Sequence, residues 1–420
     1  MLTKKYFPWI LGAVLLWQAI GIAQDYESRY TSRSNASGRD VVATEDGHYL
    51  VLGSGGQDIF LVKYKANLRR VWVKSHHFAK EKVHKVMVAA LQEDCAVLAS
   101  VGEQIKLLVF DLNDGHLKRT EDVDDMGGVV AIQDMVAYPD NRLLVGGNLS
   151  SEEQGKGLDW ILMVLDLEGN IVYTKPYEVG STTELLTQIQ PTQDGGFVLV
   201  GNVIQDEWAD LLVSKVKGPE LDSLWSHHFD TRILPTALSM NQLNAGHWVT
   251  QSPDGSFYIA GSATYFKGQY QGICIKLDSE GNRVWRTPFN GRDQSDIVGR
   301  FVHTLEDGEI VFVAEKRLPE NGGTRLCFAR LSPEGEQLDM VEQVRVGQSC
   351  DWAGAANTPG NGFFYVKNCL SEQQEKLVVE SEKILNLGRF FNSEKDKSER
   401  ALRSLRWKET MSTKAGSPRQ

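Results

Sequence analysis

Short apolar runs separated by tight turns recur along the whole of this 420-residue chain. The pattern is clearest over residues 248–289. Trp248-Val249-Thr250-Gln251 forms one run, the Pro253-Asp254-Gly255 turn follows, and Phe257-Tyr258-Ile259 opens a second run. Residues 273–277 (Ile-Cys-Ile-Lys-Leu) form a third, 278–282 make another turn, and Arg283-Val284-Trp285 begins a fourth. Runs this short, rich in aromatic and β-branched residues and bounded by Asp-Gly and Gly-Asn, predict strands joined by hairpin turns. Each strand is too short to be stable alone, so the four must form one sheet that packs on others.

The same turn returns at Asp46-Gly47, Glu93-Asp94, Asp140-Asn141, Asp194-Gly195, Asp254-Gly255, Asp307-Gly308 and Asn361-Gly362, about fifty residues apart. An apolar strand follows every anchor, and a large aromatic marks the last strand of four copies, at Trp72, Tyr173, Trp225 and Trp285. Repetition of a four-stranded unit at this period predicts an all-β fold, a seven-bladed β-propeller of four-stranded antiparallel blades. Radial stacking buries the faces that one blade leaves bare, and ring closure protects the edges. Six or eight blades, an open solenoid and a run of sandwiches are the alternatives.

Two stretches carry a resemblance: Asp194-Gly195-Gly196-Phe197-Val198-Leu199-Val200-Gly201, and Lys276-Leu277-Asp278-Ser279-Glu280-Gly281-Asn282 with Trp285. They resemble the propeller repeats of exported bacterial proteins, common in Bacteroidetes and some archaea, and are more distantly similar to quinoprotein-like propellers. The resemblance implies the fold over most of the chain. It says little about function, because such propellers host many activities.

The ends differ from the body. Residues 1–23 read as a signal peptide: Lys4 and Lys5, an apolar run over 10–17, then Gly21-Ile22-Ala23 before Gln24. The expected location is therefore periplasmic or extracellular, with no transmembrane anchor after cleavage. Residues 24–34 are a polar lead-in that offers a closing strand to the last blade; 35–392 are the propeller. Residues 393–420 are basic and read as a disordered tail, although 398–408 has the pattern of a short helix. The net charge of −10 is carried by an acidic body, which argues against nucleic acid as a partner. A chain of this size buries about three quarters of its extended surface, so neither metal nor cofactor is required for folding.

Cys350 and Cys369 flank the last hairpin symmetrically, and antiparallel pairing would set them opposite each other within disulfide range. Cys95, Cys274 and Cys327 lie in strand runs and read as core thiols.

No nucleophile elbow, phosphate loop or zinc motif is present. The His76-His77 and His227-His228 pairs alternate across a strand and cannot chelate alone; the acidic run over 121–125 lacks a calcium-loop spacing. No metal, cofactor or catalytic residue is therefore assigned. The first and third connections of each repeat are short, whereas the others, on the opposite face, are long and variable. Those of the fourth and fifth repeats carry Trp208, Arg232, Tyr265, Phe266, Lys267 and Tyr270, aromatics and cations suited to a protein, peptide or glycan partner of a monomer. An envelope-assembly scaffold and a polysaccharide hydrolase or lyase are the competing readings. A hydrolase would need carboxylates converging in the channel, for which Asp296 and Asp351 are the nearest candidates.

Overall fold

In a computed structural model the chain forms seven four-stranded antiparallel sheets, and the first strand of each is innermost. It describes residues 26–400 except 31–36, 80, 124–125, 151–156, 178–181, 206–207, 230–241, 244, 265–268, 291–294, 320–322, 345–347, 358–361, 372–376 and 385–389. The inner strands are Ser37–Ala43, Val83–Ala90, Val129–Tyr138, Thr183–Pro191, Ala245–Gln251, Asp296–Thr304 and Gln348–Asn357. Each touches the next, and the seventh touches the first, so the ring is closed. The seventh blade borrows its outermost strand from the N-terminus: Tyr26–Tyr30 runs antiparallel to Leu377–Ile384, with Tyr30 opposite Val379.

The repeated residues have identifiable work. In the first turn of a blade the Asp carboxylate caps its own turn, as Asp254 does for Ser256 N (2.9 Å). A lysine from the third strand then neutralises it: Lys63 on Asp46 at 2.9 Å and Lys215 on Asp194 at 2.8 Å. In the sixth blade Arg330 and Glu309 substitute for that pair. The aromatic of the last strand locks one blade to the next. Trp72 Nε1 donates to Leu112 O (3.3 Å), Tyr173 Oη to Glu220 O (3.2 Å) and Trp285 Nε1 to Pro333 O (3.0 Å). Gly281 and Gly335 receive Trp225 and Trp285; both have positive φ, and a Cβ there would lie under 3 Å from the indole.

The seams without such an aromatic are closed differently. Between blades 2 and 3, Arg119 pairs with Glu168. Between blades 6 and 7 sits a helix, 390–400. This corrects the reading of a disordered tail from 393. Phe390 and Phe391 are buried against Phe328 and Tyr365, Lys395 pairs with Asp339 at 2.7 Å, and Ser398 Oγ donates to Glu342 O. The cause is the missing aromatic: Asp339 of blade 6 stands where Trp285 stands in blade 5, and the helix fills the space. Residues 401–408 of the expected helix lie outside the described residues.

Cys350 and Cys369 are directly opposed in the last blade and joined as a disulfide. Cys95, Cys274 and Cys327 are buried and outside any disulfide; burial pushes the Cys95 thiol up to about 12. Among the described residues, no helix is long and apolar enough to cross a membrane.

Candidate functional site

Two regions deserve a functional reading, one at each end of the central channel. The first is the face bearing the long connections. Trp208 opens the third strand of blade 4 and pairs with Gln205 on one side. On the other side, part of the long connection to blade 5 returns as a short parallel strand, Gln242–Leu243, opposite Trp208–Ala209. That strand also touches Phe257–Thr264 of blade 5, which leads into the loop carrying Tyr265, Phe266 and Lys267. Part of the long connection after blade 4 thus packs on the second strand of blade 5. Tyr270, half-buried, stands at the far end of that loop, and its N–H donates to Asp296 Oδ1 (2.9 Å). Tyr265, Phe266, Lys267 and Arg232 lie outside the described residues.

The second region is the channel. Asp296 and Asp351 do not converge there. Asp296 of blade 6 accepts from Tyr270 N of blade 5, and exposed Asp351 of blade 7 accepts from Thr324 Oγ1 of blade 6, so each is engaged across its own seam. The channel carboxylates are instead Asp40 of blade 1 and Asp134 of blade 3, neither of which the sequence singled out. Each follows a β-bulge in its inner strand, at Arg39 and at Gln133. The bulge turns the carboxylate toward the neighbouring blade. Asp40 accepts from Val41 N (2.7 Å) and across the seam from Val88 N (2.8 Å). Asp134 repeats this with Met135 N (2.9 Å) and Ile189 N (2.7 Å). In blade 4 Gln188, after a bulge at Thr187, accepts from Val249 N of blade 5 (2.6 Å). These clasps tie the inner strands to one another.

Lys85 of blade 2 lies between the two carboxylates electrostatically and donates to Gln133 Oε1 (2.6 Å). Burial raises Asp40, and burial together with the Asp40 charge pushes Asp134 up to about 7. A second acidic pair sits at the seam of blades 3 and 4. Glu184 is fully buried; burial first, and then Asp159 beside it, push it up to about 7, Thr182 Oγ1 donates to its Oε1, and its Oε2 has no hydrogen-bond partner. Beyond the bulges the channel widens into a cavity of about 350 Å³ that reaches the ends of the inner strands, on the short-turn face. Among the described residues no group of three or more His, Cys, Asp or Glu could hold a metal ion. His77 Nδ1 is beside Asp58 of its own blade (2.8 Å), and His227 Nε2 of blade 4 is beside Glu280 O in a turn of blade 5 (3.1 Å).

Solved structures match the fold. The chain is similar to polysaccharide lyase Uly1 (TM-score 0.53, 11% identity, covering 87% of this chain and 91% of the other). It is similar to a chain of the mitotic checkpoint complex (TM-score 0.50, 11% identity, 86% and 91%). It also matches the propeller domain of the Trilobed protease from Pyrococcus furiosus (TM-score 0.47, 9% identity, 83% and 95%). No protein-family model matches the sequence, and no curated protein matches it significantly. At such identities the likeness concerns the propeller alone.

Proposed function

We propose that this chain is an exported propeller that binds a protein, peptide or glycan through its long-loop face. The observation that carries the reading is the strand Gln242–Leu243, part of the long connection after blade 4, which pairs with Trp208–Ala209 and packs on the second strand of blade 5. A ring with long, aromatic-bearing connections on one face is the arrangement of a recognition surface. Export rests on residues 1–23 of the sequence.

A hydrolase or lyase reading has less support. The carboxylates nearest to the channel axis each hold two backbone N–H groups, a structural duty that leaves no aligned acid–base pair. The chain also has seven blades, not the eight of a quinone-dependent dehydrogenase of the type its repeats distantly resemble.

The test is capture by the chain from Gln24 onward, offered an envelope-protein extract and a polysaccharide panel. Trp208→Ala and Tyr265→Ala should each weaken the captured interaction by about 2 kcal/mol, the size of a binding hot spot, and leave Tm unchanged. Binding that survives both substitutions at full strength would dismiss this face as the site.

A further inference from the structure

The seam between blades 4 and 5 holds a side chain that the fold leaves unused. Gln271 lies on the third strand of blade 5, opposite Ala263, and is 1% exposed. Its neighbour Gly272 faces blade 6, where a Cβ would meet Ile297 and Phe312. Side chains alternate along a strand, so Gln271 faces blade 4, as do Ala263 and Ile273, which pack with Leu211 and Phe229. Among the described residues neither its Oε1 nor its Nε2 has a hydrogen-bond partner. A buried amide with both ends unsatisfied is costly, and an aliphatic side chain would avoid the cost. The amide presents a donor and an acceptor side by side, the complement of a peptide group.

A second observation comes from the strand edge at the same end of the seam. The outer strand of blade 4, Asp222–Phe229, reaches only to Leu211, which stands opposite Phe229. Beyond it, among the described residues, Trp208 and Ala209 are paired on that side by two residues, Gln242 and Leu243, in parallel register. So short a parallel pairing holds its strand weakly. Two residues further on, Ala245 pairs with Ser262, the neighbour of Ala263. The weakly held strand and the unsatisfied amide therefore occupy one end of one seam.

We infer that the long-loop face takes an extended polypeptide segment, which replaces Gln242–Leu243 on the edge at Trp208–Ala209 and pairs one backbone amide group with the amide of Gln271. This rests on the binding reading of that face and narrows its partner from a protein, peptide or glycan to an extended stretch of chain. The resident strand shows that the edge accepts extended backbone. Gln271 adds a main-chain contact that reads no side chain. A glycan offers hydroxyls in place of the ladder of amide groups that a strand edge requires.

The test offers the chain from Gln24 onward a phage-displayed pool of random octapeptides and a panel of neutral oligosaccharides. Selection should yield octapeptides that bind saturably at one site, and the tightest is synthesised for titration. N-methylation of its central backbone amides, one at a time, should weaken binding about tenfold, because each methyl removes a ladder donor. Gln271→Leu should also weaken it about tenfold and leave Tm equal or higher, since an unsatisfied amide is lost; Gln271→Met serves should the first variant not fold. Leu243→Pro breaks the resident strand and should tighten the peptide about threefold, because its competitor is gone. Peptide binding that Trp208→Ala weakens but Gln271→Leu and backbone methylation do not, or binding of oligosaccharides alone, would overturn this inference and leave the long-loop face standing. A Gln271→Leu chain that melts well below the natural one would give the amide a structural duty and overturn it as well. Binding of neither peptide nor oligosaccharide, or peptide binding indifferent to Trp208→Ala and Gln271→Leu alike, would dismiss the face together with the inference.

Discussion

Glu184 shows how much a single buried carboxyl can govern. Burial, with Asp159 beside it, lifts its pKa from 4.5 to about 7. Between those values the native chain binds one proton more than the unfolded chain, so this group's contribution to stability falls as pH rises. Glutamine in its place does not titrate and carries no charge beside Asp159. Glu184→Gln should therefore gain on the natural chain as pH rises from 4.5 to 7, by about 1–2 kcal/mol, and hold that gain above 7. The quantity to follow is the variant's difference in chemical-denaturation stability. The absolute profile also contains His247 and His303, which burial holds down at about 3 and about 4. For those bases the unfolded state binds the extra proton, so their contribution rises with pH up to 6.5, in the opposite sense. A pH-independent difference would show that Glu184 is ionised throughout. Nothing in the sequence marks Glu184, because its pKa depends on a partner from another blade.

At the scale of the element, each blade is locally encoded but each seam is not. The turn carboxylate and its lysine are the Asp and Lys of the repeat itself, as in Asp194 with Lys215. The seams depend on one residue of one blade meeting the next, and where the aromatic is missing another element has to serve. The helix over 390–400 is the clearest case. Phe391 is 1% exposed and lies under the Arg330 guanidinium at 5.9 Å. Phe391→Ala should cost about 3–4 kcal/mol, read from the denaturant midpoint, whereas Asn392→Ala on the exposed side should be neutral. Equal effects would mean that the helix does not hold the seam. The disulfide supports the same blade: Cys350 and Cys369 are paired across its two inner strands. Reduction should lower stability by about 2–3 kcal/mol. Alkylation of the unreduced, denatured chain should mark Cys95, Cys274 and Cys327 only; marking of all five would exclude the bridge.

For the whole molecule the decisive event is closure. The last blade is assembled from both ends of the chain, with Tyr26–Tyr30 as its outermost strand and Asn368 clasping Gly38 of blade 1 through N–H (2.7 Å) and O (3.0 Å). The closed ring has two different faces: one where part of the long connection after blade 4 pairs with that blade's third strand, and a short-turn face with a cavity lined in part by Asp40 and Asp134. The period, the turn residues and the alternation of apolar positions determine strand count, blade count and the register that opposes Cys350 to Cys369. These are local properties, written within about fifty residues and repeated seven times. The tertiary structure alone decided which carboxylates share the channel. Asp296 stands at the start of its inner strand and Asp351 ahead of the bulge in its own, whereas Asp40 and Asp134 directly follow the bulge in theirs, and that position sets which carboxylates reach the channel. It also decided where the C-terminal helix docks. Both arise from contacts between blades, where partners are brought together by ring geometry and leave no spacing in the sequence.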